Sequence, residues 1–170
     1  MSAAESLRFT LKAYPAVTAA TFALCFLTQH GAKALFGIDL PEQAGLEAIR
    51  NMIGWNRMFI LNVTLAVLIL PPVEELLFRL LLFRLPCRSR SADGWRSGSF
   101  LIPVAFVSSV LFTAAHYLQR TFPDAAFIAL VFFGCAQCRL YRRTGSIVYP
   151  ILNHALFNLT TLALLILGVS

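Results

Sequence analysis

Two adjacent carboxylates, Glu74 and Glu75, stand in otherwise apolar sequence, within Pro71-Pro72-Val73-Glu74-Glu75-Leu76-Leu77-Phe78-Arg79. Two further polar motifs lie downstream in similar surroundings, Phe112-Thr-Ala-Ala-His116 and His154-Ala-Leu-Phe-Asn158. An ionisable side chain at the centre of a membrane helix costs about 2.5–3.5 kcal/mol on insertion scales, so each of these groups needs a reason to be there. Helical spacing sorts them. Glu75 and Arg79 share one face and suit an ion pair, which reads as structural. Glu74 is turned about 100° away and keeps no local partner, so it is free to act as a general base. Pro71 and Pro72 withhold two backbone N–H groups, so the helix should kink or restart there and place Glu74 in a first turn. Phe112 and His116 share a face, as do His154 and Asn158, and each pair can project into one cavity. A carboxylate, two imidazoles and a carboxamide leave two chemistries open. They can activate water and stabilise an oxyanion, or His116, His154 and a glutamate can ligate zinc with one position left open. A lone intramembrane histidine is more often interhelical glue, and His30, with no motif around it, is read that way. Glu74, His116, His154 and Asn158 together, each bearing its own insertion penalty, point to a shared purpose.

These residues need helices to hold them. Five apolar segments cover about 13–35, 58–85, 100–118, 122–141 and 146–169, each near the ~20 residues that cross the hydrocarbon. In lipid the backbone must satisfy itself, so each is expected to be helical. The expectation is an all-α, polytopic membrane bundle of about five transmembrane helices. Residues 1–57 form a first span and a polar loop, with a short surface helix within 37–57, and residues 58–170 form the core. The first span is the weakest, interrupted by Gln29, His30 and Lys33, and it reads as retained because no small-residue cleavage site follows. Residues 84–99, with Pro86, Gly94 and Gly98, read as a connector. Thr121 with Asp124 marks a helix start, Gly145 an end and Ser146 the next start.

Composition agrees. Hydrophobic residues make up 58% of the chain and charged ones only 13%, against about 25% charged in soluble domains. The net charge of +6 does not signal nucleic acid, because the basic residues cluster between apolar runs as membrane-flanking groups do. Arg8, Lys12, Arg84, Arg88, Arg90, Arg96, Arg139, Arg142 and Arg143 fall on one side of a five-span arrangement. Lys33, Arg50, Arg57 and Arg120 fall on the other, so the N-terminus is expected in the cytoplasm. Cys25, Cys87, Cys135 and Cys138 suggest no disulfide framework, and the Cys135-x-x-Cys138 pair reads as small apolar residues.

Glu74-Glu75-x-x-x-Arg79, Phe112-x-x-x-His116 and His154-x-x-x-Asn158, in that order on successive apolar helices, resemble the CPBP family of intramembrane proteases. That family includes the type II CAAX prenyl endopeptidases and bacterial immunity-type homologues. The resemblance covers roughly residues 58–169 and extends to Tyr141-Arg-Arg-Thr-Gly-Ser146. It implies Glu74 as the base that activates water, assisted by His116, with His154 and Asn158 stabilising the oxyanion and Glu75, Arg79 and Phe112 in support. Both a zinc and a glutamic mechanism have been attached to the family. The metal-free one is favoured here, because no third strong ligand joins the two histidines, while zinc on His116 and His154 remains the alternative. Expected partners are the bilayer and a peptide or protein substrate, in a bacterial cytoplasmic membrane. The compact core suggests a leader peptide or C-terminal tail as substrate. A proton-coupled transporter subunit, disfavoured by the absence of a repeat, and a non-catalytic immunity or binding protein are the competing readings. One geometric difficulty stands. At about 1.5 Å per residue, His116 lies ~24 Å from the start of its segment and His154 only ~12 Å from the start of its own, although both segments start on the same side.

Overall fold

A computed structural model describes residues 1–41, 57–84, 98–117 and 124–168. The surface helix expected within 37–57, Pro86, Cys87 and Gly94 of the connector, and the Thr121 cap lie outside the described residues. Among those described, the chain is all-helical with no strand.

The first helix, α1 (Ala3–Phe36), begins well before residue 13, because Ser2 and Glu5 close a capping box. The Ser2 hydroxyl accepts from the Glu5 N–H, and the Glu5 carboxylate accepts from the Ser2 N–H at 2.7 Å. Pro15 lies inside α1 without ending it. Its 34 residues span on the order of 50 Å, more than a hydrocarbon core of ~30 Å.

The second helix, α2 (residues 57–84), is continuous but changes register. It is α-helical over Arg57–Thr64, a π-helix over Leu65–Ile69, α-helical again over Leu70–Glu75, and a π-helix over Leu76–Arg84. The restart expected at the prolines is therefore a widening of the helix followed by an α turn from Leu70, with Pro71 and Pro72 in its opening positions. Glu74 falls just beyond the first turn of that piece and not inside it, because the helix resumes at Leu70, ahead of both prolines.

Helices α3 (Gly98–Ala115), α4 (Phe127–Thr144) and α5 (Val148–Ile166) complete the bundle. α4 starts at Phe127 and not at 122, because the buried Asp124 turns the chain first, accepting from Tyr117 Oη and from the Ala126 N–H. Gly145, at φ 69°, closes α4 in the left-handed conformation that favours glycine. The Ser146 hydroxyl accepts from the Val148 N–H at 3.4 Å.

Side-chain contacts fix the directions. Tyr149 Oη donates to the Ala3 carbonyl and Tyr14 Oη to Leu156, so α1 and α5 run parallel. α2 opposes α5, since Glu75 meets His154 while Ala66 meets Asn158. α3 opposes α2, with Ser108 on Phe78 and His116 toward Glu74, and α4 opposes α3, with Gly134 against Ser109 and Val104 and Ala105 packed on the cluster of Cys138 and Tyr141. The helices alternate, and the chain is an all-α membrane helix bundle. Its polarity is inverted for water: Ser6, Thr10, Thr18 and Thr21 are the buried residues of α1, whereas Phe26, Leu27, Leu35 and Phe36 are exposed. Small polar residues at helix contacts with apolar residues outside are what lipid as solvent selects. By length and composition, α1 and α5 are each apolar enough to cross a membrane.

The core is one aromatic layer, Phe78, Phe112, Leu130, Phe133 and Phe157, with Val17 and Phe22 of α1 packed against it. A second cluster, Phe83, Cys138 and Tyr141, has Val104 and Ala105 against it. Despite the different distances from their helix starts, His116 and His154 come to one level, both facing the Glu74 carboxylate.

Candidate active site

The site gathers where α2, α3 and α5 meet. The Glu75 and Arg79 side chains are fully buried, with Arg79 Nε 3.1 Å from Glu75 Oε2 in the ion pair expected at this spacing. Glu75 has a second partner that its spacing does not disclose: its Oε1 lies 2.9 Å from His154 Nδ1. A carboxylate only accepts, so the ring donates there, and the orientation of His154 is fixed by the helix that carries Glu74. The Arg79 guanidinium stacks on the Phe112 ring at 4.9 Å.

Glu74 points the other way, as the 100° offset requires, and its side chain is 22% exposed, so it is reachable where Glu75 is not. Its Oε1 is 4.0 Å from His116 Nε2 and its Oε2 is 3.5 Å from His154 Nε2. The three groups expected to share a chamber do face one another. His116 sits one residue past the end of α3, and its Nδ1 is 2.9 Å from the Phe112 carbonyl. A carbonyl cannot donate, so Nδ1 carries the hydrogen there, and Nε2 is the ring nitrogen turned toward Glu74. Phe112 is fully buried and packs edge-on against both imidazoles, 4.7 Å from His116 and 5.8 Å from His154 between ring centroids. Phe133 of α4 closes the other side of His154 at 5.2 Å.

Asn158 shares the face of His154, one turn on, yet it does not point at Glu74. Its Nδ2 donates to the Ala66 carbonyl at 2.7 Å. Behind the site, Asn153 Nδ2 donates to Gln137 Oε1 at 3.3 Å in a fully enclosed pair. The sequence reading passed over Gln137, Asn153, Ser108 and Phe133. The available signal was the run of amides and hydroxyls on otherwise apolar helices, which lipid does not tolerate without partners.

Other polar groups stand apart. His30 is stacked on Phe26 with Nδ1 on the Phe26 carbonyl, a local arrangement within α1. Cys25, Cys135 and Cys138 are free thiols, and Cys138 is buried in the second cluster. Among the described residues, no group of three or more His, Cys, Asp or Glu side chains is disposed to hold a metal ion. The arrangement thus offers a reachable carboxylate with the Nε2 atoms of two imidazoles facing it, one of those rings held between two carboxylates.

A family model described as type II CAAX prenyl endopeptidase Rce1-like matches residues 56–160. No curated protein and no solved structure matches the chain. The matched stretch takes in Glu74, Glu75, Arg79, Phe112, His116, His154 and Asn158, whereas α1 lies ahead of it.

Proposed function

Since this chain belongs to the type II CAAX prenyl endopeptidase Rce1-like family, we propose that it is an intramembrane endopeptidase in which Glu74 activates a water against a peptide bond. One observation supports this most: the Glu74 carboxylate of α2 faces the Nε2 atoms of His116, just past α3, and of His154 on α5, at 4.0 and 3.5 Å. A water bridging Glu74 and His116 donates one hydrogen to each and turns its oxygen lone pair to the scissile carbonyl carbon. As the C–O bond forms, its proton passes to Glu74. The same proton goes to the amide nitrogen as the C–N bond breaks. His154, with Nδ1 tethered to Glu75 and Nε2 facing the reacting atoms, is placed to donate to the oxyanion once it carries a second proton.

No metal is needed in this scheme. Zinc held by His116 and His154 is the competing mechanism, and elemental analysis of active protein decides between them. The substrate is a peptide segment of a membrane-associated protein, a leader or C-terminal tail. The enzyme sits in a bacterial cytoplasmic membrane with its N-terminus in the cytoplasm. In support of that orientation, Arg8, Lys12, Arg84, Arg139, Arg142 and Arg143 all fall toward the same helix ends.

The test is cleavage of membrane-embedded peptides by purified protein in proteoliposomes. Wild type cleaves, Glu74→Gln and His116→Ala do not, and both variants remain folded. Full activity in Glu74→Gln overturns the mechanism. Stoichiometric zinc whose removal abolishes cleavage overturns its metal-free form.

A further inference from the structure

The π stretch ahead of Glu74 leaves a carbonyl without its usual donor. Within Leu65–Ile69 the register lengthens by one residue, and the Leu70 N–H donates to the Leu65 carbonyl. The Ala66 carbonyl is therefore passed over by Leu70, its donor in an α register. Its donor in a π register is residue 71, which is proline and has no N–H. Leu70 donates elsewhere and Pro71 has no hydrogen to give, and the Asn158 amide takes the place at 2.7 Å. The same face of α5 carries His154, which grips Glu75 at 2.9 Å. α5 thus holds α2 at two points, one on each side of Pro71 and Pro72.

We propose that Asn158 is a positioning residue. By capping the Ala66 carbonyl it keeps the extra residue of the π stretch in place and so sets where Glu74 stands relative to His116 and His154. The geometry behind this is simple. Each residue of a helix turns about 100°, so losing the inserted residue rotates one side of the stretch against the other by roughly that angle. With α2 held at Glu75 by His154, such a rotation works against the site or against the packing of residues 57–64. A capped carbonyl removes the drive to relax into an α register. This role differs from direct contact with an oxyanion, because it is exerted on α2 and not on the substrate. It rests, for its effect on turnover, on the endopeptidase reading above.

A double-mutant cycle separates the two roles. Pro71→Ala restores an N–H next to the orphaned carbonyl, so the clamp becomes redundant there. In proteoliposomes, Asn158→Ala is expected to lower kcat by about tenfold or more with KM little changed, and to cost less than about threefold on the Pro71→Ala background. The drop in thermal unfolding midpoint caused by Asn158→Ala in detergent should shrink in parallel. Equal losses on the two backgrounds overturn the proposal and return Asn158 to the substrate. If wild type cleaves no peptide, the endopeptidase reading fails, while the coupling between unfolding midpoints still decides the clamp. Should Pro71→Ala not fold, Asn158→Leu replaces it. That variant keeps the side-chain shape but has no hydrogen to donate, so the clamp requires a lowered midpoint, and an unchanged one contradicts it.

Discussion

Neighbouring carboxylates differ in what they do because a helix turns between them. Glu75 is sealed between Arg79 and His154, whereas Glu74 is partly exposed and faces two imidazole nitrogens. Stability and activity should therefore separate by one residue. Glu75→Leu leaves the buried Arg79 without its counter-charge and frees His154, a loss of about 3–5 kcal/mol for a buried pair broken on one side. Glu74→Gln removes a partly exposed carboxylate with no hydrogen bond at normal length, and its thermal unfolding midpoint should stay near that of wild type. Equal destabilisation by the two substitutions would contradict the division. Glu75 with Arg79 was legible from their spacing, as was the grouping of Glu74 with the two histidines. The bond from Glu75 to His154 was not, because its partners are 79 residues apart and only folding brings them together. The Gln137–Asn153 pair was hidden for the same reason.

At the level of elements, close approach and register do the positioning. A β-carbon on Gly134 would lie 2.8 Å from Ser109 Cβ and 3.1 Å from its Cα, so α3 and α4 touch backbone to backbone at this level. Gly134→Ala should force the two helices apart and cost about 1–3 kcal/mol, as overpacking does. Adding Ser109→Gly should recover most of that loss in a thermal unfolding experiment, and no recovery would mean that the contact is not what limits the packing. His116 follows directly from α3, so the same wedge should also reduce cleavage. Ser108 adds to this control by donating to the Phe78 carbonyl at 2.6 Å within the second π stretch of α2. Apolar run length located the five helices of the described residues, since lipid leaves the backbone few options. The π register was not legible beyond the hint from Pro71 and Pro72, because it depends on which carbonyls a neighbouring helix can serve. The early start of α1 is legible in Ser2-Ala-Ala-Glu5, a capping box that lies ahead of the apolar run.

For the molecule as a whole, the five helices among the described residues alternate, so the start of α1 and the end of α5 lie on opposite faces. The start of α1 lies beside the end of α4, where Arg143 stacks on Phe9 at 5.6 Å. In a variant lacking its native cysteines, single cysteines at Ala3 and Arg142 should label from the cytoplasmic side only, and one at Gly37 from the outside only. Labelling of Ala3 and Arg142 from opposite sides would refute the alternation, and labelling of both from outside would invert the orientation. α1 lies outside the family match, yet Phe22 stacks on Phe157 at 5.5 Å and so supports the aromatic layer against which His154 rests. The measurement that bears most directly on the protein's role is a comparison of peptide termini in membranes of cells producing wild type or Glu74→Gln at equal levels. New termini from membrane-associated proteins should appear with wild type and vanish with Glu74→Gln. Identical sets of termini in the two membranes would contradict the account.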